Sequence, residues 1–422
     1  MPIWHGLHRL LKAGMEEEMV NVSILGYGTI GSGVFQVLKE NCQIIKERAG
    51  EEIKVKSILD LREFPGDCAE EFIVHDFKEI DNDESIQIVV ETMGGLHPAY
   101  EFVKASLEKG RSVCTSNKAL VAAFGPELLK IAEEKKCNFL FEASVGGGIP
   151  IIRPLKSSLA PDMIEQISGI LNGTTNYILT EMTEKGTDFE TVLKDAQAKG
   201  YAEKDPTADI EGYDACRKIA ILASLAYGHQ VDFEDIYTEG ITKITERDIN
   251  YAKKLGAKVK IFGSGKKQGE KVSAMVAPVL ITAKHPLYSV DGVFNAILVR
   301  GNMAGDIMFY GQGAGKLATA SAVVSDIMEA AKHNGINIKT IWDGKKLALV
   351  PFEESVSKFF VRLSGTKAEN EAKAAEAFGS VTRVEAGYSD EYAFITEEIT
   401  EGAYAKAEEK LGNVINKIRI GD

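Results

Sequence analysis

Short apolar runs alternating with helical periodicity organise the first third of the chain. Residues 20–25 form an apolar run that predicts a strand, and Val34, Val37 and Leu38 recur after it at helical spacing. Residues 53–59, 86–90, 112–115 and 138–142 predict further strands, with a helix opening near Pro98 and another over 119–123. Strands that alternate with helices in this way imply a parallel, doubly wound α/β sheet.

Past Pro150 the pattern changes. Leu171-Asn172-Gly173-Thr174-Thr175-Asn176-Tyr177 reads as a polar turn feeding a helix, and helical stretches follow at about 188–199 and 211–227. Four strands are expected at 257–263, 271–281, 293–300 and 306–310. Gly311-Gln312-Gly313-Ala314-Gly315 then opens a long helix over 316–333. Residues 342–349 read as a connector. Residues 356–420 carry a small βαββαβ rhythm, with strands at 359–363, 380–386, 391–397 and 414–420 and helices at 369–377 and 401–411. The resulting plan is a leader over 1–18, a dinucleotide-binding domain over 19–149, a second α+β domain over 150–340 and a C-terminal domain over 350–422. Helix 316–333 is expected to pack back on the first domain. The leader is expected to be disordered, with Met15 or Met19 as alternative starts.

Composition narrows the function classes. Among 422 residues, a net charge of −13 argues against nucleic acid or an anionic membrane as partner. Five scattered cysteines without a Cys-x-x-Cys pair, and seven dispersed histidines, point to reduced thiols in a cytoplasm and to no structural zinc. No apolar stretch is long enough to span a bilayer.

The candidate chemistry falls where the elements change. Gly26-Tyr27-Gly28-Thr29-Ile30-Gly31 stands between a strand and a helix, the setting in which backbone N–H groups approach a pyrophosphate. Gly26, Gly28, Thr29, Ile30 and Gly31 are therefore cofactor candidates. The second strand ends at Asp60-Leu61-Arg62, where an acid favours a free ribose 2′-OH and an arginine a 2′-phosphate; both are present, so NAD and NADP stay open. Thr92, Met93, Gly94, Ser116 and Lys118 fall beyond strand ends, where ligands bind in such sheets. Lys118 opposes the dipole of the helix it opens. Gly315 closes a glycine cluster that could approach an anion or serve only as a turn. Residues 200–218 gather Glu203, Asp205, Asp209, Glu211, Asp214, Arg217 and Lys218 ahead of an apolar helix. Asp214 and Lys218, four apart, share one helix face.

Several of these segments together resemble homoserine dehydrogenases. They are the glycine motif, Thr115-Ser116-Asn117-Lys118, the stretch from Gly169 to Leu179, residues 200–218, Val293-Phe294-Asn295-Ala296 and Met308-Phe309-Tyr310-Gly311-Gln312-Gly313-Ala314-Gly315. The match runs in order over roughly residues 20–340, and the tail resembles an ACT-type regulatory domain. The resemblance implies a Rossmann-like cofactor domain and reversible NAD(P)-dependent interconversion of L-homoserine and L-aspartate 4-semialdehyde, in threonine, methionine and isoleucine synthesis. It implies Lys218 as general acid/base and Lys118 beside the nicotinamide and the reacting hydroxyl. Glu203, Asp209 and Asp214 would hold the substrate ammonium. A sodium ion would sit on Glu142 and on carbonyls near Val145, Gly147 and Ile149. A homodimer or homotetramer and an amino-acid effector at the tail are further implications. Leu59 stands where many members carry Arg, Gln312 replaces a usual Pro, and residues 365–370 lack an Asp-x-Pro-Gly loop. Two other readings compete: an oxidoreductase of another small amino-acid aldehyde or alcohol, and a non-catalytic amino-acid sensor.

Overall fold

The first apolar run forms β1 (Met19–Leu25), with Val20, Val22, Ile24 and Leu25 all buried. The computed structural model describes residues 19–421, and the leader expected over 1–18 lies outside them. The chain divides into two units, one ending at Gly148 and taking in Gly315–Thr340, the other made of Ile149–Ala314 and Ile341–Asp422.

In the first unit β1 is joined by β2 (Glu52–Leu59), β3 (Ile73–Val74), β4 (Ile86–Glu91), β5 (Ser112–Thr115) and β6 (Phe139–Leu140). They form one sheet in the order β3-β2-β1-β4-β5-β6, parallel throughout. This is the strand order of a doubly wound dinucleotide-binding fold, with its topological switch between β1 and β4. Strand β6 is shorter than the apolar run 138–142 suggests, because the chain turns into a 3₁₀ helix at Glu142–Ser144. Helix Lys316–Lys332 packs along helix Thr29–Glu40. Ala320, Val323 and Ile327 share a buried cluster with Val34 and Leu38. A side chain at Gly33 would stand 2.9 Å from the Lys316 carbonyl, so these two helices approach backbone to backbone.

The second unit carries β7 (Ile164–Ile170), β8 (His229–Gln230), β9 (Tyr237–Thr238), β10 (Ala257–Gln268), β11 (Lys271–Thr282), β12 (Phe294–Gly301) and β13 (Gly305–Gln312). After these come β14 (Asp343–Lys346), β15 (Val356–Ser364), β16 (Val381–Val384), β17 (Glu391–Thr396), β18 (Ile399–Thr400) and β19 (Val414–Ile420). The main sheet path runs β13-β12-β7-β10-β11-β19-β15-β17-β16. Helix Tyr213–Tyr227 lies against it. Its Ile219 comes within 3.1 Å of where a Cβ of Gly263 on β10 would stand. The stretch read as a connector is pinned: β14 pairs with β8, and the buried Trp342 donates its indole N–H to Gln230 Oε1 at 3.0 Å.

Residues 356–420 fold as βαββαβ, with helices Lys367–Phe378 and Glu401–Leu411 and strand order β19-β15-β17-β16. This module does not end its own sheet. β19 pairs in parallel with β11 through Val279↔Arg419 and Leu280↔Ile420. Two buried arginines tie it down further. Arg362 donates to Asp248 Oδ1 at 2.7 Å and pairs with Glu391, and Arg419 pairs with Glu401 and with Glu239 at 2.7 Å.

Candidate active site

In the first unit, the turn after β1 carries the glycine motif into helix Thr29–Glu40, with Thr29, Ile30 and Gly31 in its first turn. A Cβ at Gly31 would collide with the Gly26 carbonyl oxygen and stand 2.8 Å from Thr92 Oγ1, so only glycine fits there. Thr92 donates to the same Gly26 carbonyl at 2.9 Å and to Leu25 O at 3.1 Å. Gly28, by contrast, faces open space. That side opens on a groove of about 780 Å³ lined by Gly26, Gly28, Asp60, Arg62, Thr92 and Met93. The bare backbone at the helix start and the groove beside it fit a bound dinucleotide.

Asp60 and Arg62 form one unit at the end of β2. Asp60 Oδ2 accepts from Tyr27 N at 2.8 Å and Arg62 Nη2 at 2.9 Å; Oδ1 accepts from Arg62 N at 3.0 Å and Nε at 2.9 Å. Four bonds fill the four lone-pair positions of a carboxylate. The Arg62 guanidinium, with the backbone donors, holds Asp60 well below the usual carboxylate range despite partial burial. The Arg62 side chain itself is 62% exposed and lies over Phe64. His75 and Lys78 line the same groove.

Glu91, at the end of β4, is fully buried. It accepts from Met93 N at 2.8 Å, Gly94 N at 3.2 Å and Thr115 Oγ1 at 2.6 Å. Burial raises its pKa, and these donors oppose the rise. Gly94 therefore contributes its N–H to Glu91. Ser116 and Lys118 flank Asn117, whose side chain accepts from Leu120 N as cap of helix Lys118–Glu134. Gly315 immediately precedes helix Lys316–Lys332. Glu142 is 4% exposed, and its N–H donates to the buried Asp326 at 2.8 Å. Val145 and Gly147 follow in the same unit, whereas Ile149 opens the second. Among the described residues no group of three or more His, Cys, Asp or Glu side chains is arranged for a metal.

The second unit draws together residues from two distant stretches. Asn172 caps helix Gly173–Lys185, its side-chain oxygen accepting from Thr175 N at 2.9 Å, as Asn at this position does. Its amide nitrogen then donates to Asp209 Oδ1 at 2.7 Å and to Asp214 Oδ2 at 2.9 Å. Lys218 Nζ lies 2.8 Å from Asp214 Oδ2 and donates to the Leu171 carbonyl at 2.7 Å. Asp214 and Lys218 are 6% and 8% exposed. Burial, reinforced by the Asp214 charge, raises the pKa of Asp209 against the lowering effect of Asn172. Lys218, Asp214 and Asp209 are thus joined. Glu203 is not: it is exposed, and its carboxylate makes no hydrogen bond or ion pair among the described residues. Asn172, Leu171 and Glu91 carry the site without having been singled out in the sequence. An Asn ahead of a Gly-Thr-Thr helix start was the available signal for the first.

A Rossmann-type sheet with a bare-glycine helix start, together with a buried lysine–carboxylate cluster, defines a nicotinamide-dependent oxidoreductase. The family model "Homoserine dehydrogenase, NAD binding domain" matches residues 26–142, and "Homoserine dehydrogenase" matches 150–328. The chain belongs to the homoserine dehydrogenase family. A homoserine dehydrogenase of Neisseria gonorrhoeae is 45% identical over 315 residues, 74% of this chain and 72% of that protein. The crystal structure of a Thiobacillus denitrificans homoserine dehydrogenase superposes with a TM-score of 0.85 at 35% identity, covering 96% of this chain and 99% of that one. A hyperthermophilic archaeal homoserine dehydrogenase in complex with NADPH covers 77% of this chain and 100% of its own, at 29% identity and a TM-score of 0.65.

Proposed function

We propose that the protein interconverts L-homoserine and L-aspartate 4-semialdehyde, with Lys218 as the proton-transferring residue. The observation that carries this reading is the Lys218–Asp214–Asn172–Asp209 cluster in a chain of this family. When bound, the nicotinamide would accept hydride from the alcohol carbon or return it to the aldehyde.

Lys218 has three donors, and Leu171 O and Asp214 engage two of them. The third serves the substrate oxygen, where a proton must leave or arrive as charge develops. Asp209 and Asp214 hold the substrate ammonium, whose charge offsets the burial and the Asp214 repulsion that together raise the Asp209 pKa. Glu203 stands on the exposed loop ahead of them and contributes less. Lys118 serves the nicotinamide end, with Gly26, Gly28, Thr29, Ile30 and Gly31 along the pyrophosphate.

NADP(H) is the preferred cofactor. Asp60 has no acceptor left for a ribose 2′-OH, whereas Arg62 and Lys78 offer positive charge on the same groove, which His75 also lines. Buried Glu142 and the carbonyls of Val145 and Gly147 would offer oxygen ligands of the kind a hard monovalent cation such as sodium takes. Residues 356–420 act as an ACT-like regulatory module, supported by their βαββαβ order. The edge strand β13, with exposed Met308 and Tyr310, supports a homodimer or homotetramer. The enzyme works in the cytoplasm; no helix among the described residues is long and apolar enough to cross a membrane.

The test is an assay of reduced-nicotinamide absorbance with homoserine and either cofactor. Turnover with homoserine supports the reading. Turnover only with another amino alcohol would favour a sister oxidoreductase, and none with any substrate would favour a sensor.

A further inference from the structure

Tyr27, between the first two glycines of the turn after β1, is 7% exposed and stands behind the cofactor groove rather than in its wall. Burial, with the hydrogen bond to Asp67 and its charge, raises the pKa of the phenol, so the hydroxyl stays protonated as a donor. It donates to Asp67 Oδ1 at 3.0 Å, and the same oxygen accepts from Ala69 N at 2.9 Å. The Tyr27 ring meets Phe64 edge to face, with centroids 4.9 Å apart and planes at 82°, a favoured aromatic geometry. Phe35 packs on Tyr27 in the same manner at 6.1 Å and carries Phe72 at 5.6 Å. The loop that follows β2 is thus pinned to the body of the first unit at Phe64 and Asp67, and both contacts end on Tyr27.

Arg62 lies on this loop and is held on two sides. Asp60 takes its Nε–H and one N–H of Nη2 at 2.9 Å each, which fixes the edge of the guanidinium. Phe64 fixes the face, with the ring centroid 5.1 Å from Cζ, a cation–π distance. Asp60 engages two of the five guanidinium N–H donors. The side chain, 62% exposed, lines the groove. Tyr27 reaches both holds: its N–H donates to Asp60 Oδ2 at 2.8 Å, and its ring supports Phe64. An arginine already held in this way loses little further freedom on meeting a phosphate, so less ordering opposes binding.

We propose that Tyr27 is a positioning residue for cofactor selection: through Phe64 and Asp67 it holds Arg62 where a ribose 2′-phosphate docks, without touching the cofactor itself. The inference rests on the reading that Arg62 favours NADP(H). NAD(H) brings no 2′-phosphate to the remaining donors of Arg62, so the support beneath that side chain does not bear on it.

The test is calorimetry on the full-length protein with NADP⁺, NAD⁺ and adenosine 2′,5′-bisphosphate. Tyr27→Leu removes the hydroxyl and the ring edge but keeps the backbone N–H to Asp60. It should weaken NADP⁺ and the bisphosphate about fivefold or more, the scale of ordering one long side chain, and leave NAD⁺ within about twofold. Phe64→Leu removes the face beneath Arg62 and leaves the turn after β1 unaltered. It should have the same selective effect, and it decides the matter if Tyr27→Leu does not fold. In an Arg62→Leu background neither substitution should weaken NADP⁺ by more than about a further twofold, because all three act through one side chain. Equal weakening of both cofactors would make Tyr27 a support of the glycine turn and overturns the proposal. Unaltered NADP⁺ affinity, or full additivity with Arg62→Leu, overturns it as well. If Arg62→Leu by itself leaves the cofactor preference unchanged, the reading of Arg62 fails and the proposal with it. A changed preference there beside a silent Tyr27→Leu overturns the positioning alone.

Discussion

Lys218 Nζ stands 2.8 Å from Asp214 Oδ2, one helical turn away, and both side chains are less than a tenth exposed. An exposed pair at this spacing stabilises a helix by only a few tenths of a kcal/mol, roughly 0.2–0.5. A buried pair costs desolvation that the Coulomb attraction does not reliably offset. Its retention in the buried start of helix Tyr213–Tyr227 fits a part in chemistry better than a part in stability.

Replacement of that lysine separates the two. Lys218→Ala should lower kcat about 100- to 10,000-fold, the usual worth of a positioned acid–base group. Cofactor affinity, measured by fluorescence titration, should be unchanged because the cofactor groove belongs to the other unit. Near-normal turnover, or loss of cofactor binding, would remove Lys218 from the role.

Asp209 makes the acid limb of the pH profile informative. Burial and the Asp214 charge raise its pKa, and only the ionised form attracts an ammonium. kcat/KM for homoserine should therefore fall as pH drops through a value above the ordinary carboxylate range. Asp209→Asn should flatten that limb and raise KM, and Glu203→Gln should do so much less. For folding the sign is reversed. A carboxyl with a raised folded-state pKa favours the fold while protonated and loses that contribution as pH rises through the raised value. Asp209→Asn should accordingly melt higher at neutral pH, with the gain shrinking in acid. A melting temperature that falls at neutral pH would contradict the assignment.

Arg62 occupies three of the four acceptor positions of Asp60. The wild type should bind NADP⁺ at least about tenfold more tightly than NAD⁺, a difference of about 1.4 kcal/mol. Arg62→Leu removes the cation and returns acceptor capacity to Asp60, which suits a 2′-OH. Dissociation constants for the two cofactors, and for adenosine 2′,5′-bisphosphate as a probe, should then shift toward NAD⁺. A variant with unaltered preference would place the discrimination elsewhere.

Arg362 bridges the C-terminal module to helix Glu246–Lys254, between Asp248 and Glu391, with 2% of its surface exposed. Truncating one partner leaves the buried Asp248 carboxylate without its cation, while Glu391 keeps Arg247, at a cost of about 3–5 kcal/mol. Arg362→Ala should show that loss in urea unfolding. Arg383→Ala, on the more exposed edge strand β16, should cost under about 1 kcal/mol. Comparable losses in both would mean the Arg362 cluster does not hold the module.

Local chemistry alone wrote much of this protein. The alternation of apolar runs with helical spacing laid out the parallel sheet. Gly26 to Gly31 marked the turn into the first helix, and residues 401–411 and 414–420 emerged with the boundaries their patterns carry. Such signals depend on neighbours a few residues apart and survive in any single sequence. What the tertiary structure decided lies in hydrogen bonds and contacts that span long stretches of chain. Asn172 reaches Asp209 and Asp214 across 37 and 42 residues, and Lys218 reaches the Leu171 carbonyl across 47. Helix Lys316–Lys332 belongs to the first unit because it fits against Gly33, and β19 extends the sheet of β11 through residues more than a hundred positions away. Periodicity shows that a face is apolar but not which other face will cover it, and a charged run shows acids and bases without showing which of them meet. Among the carboxylates of residues 200–218, packing buried Asp214, half-buried Asp209 beside it, and left Glu203 in solvent.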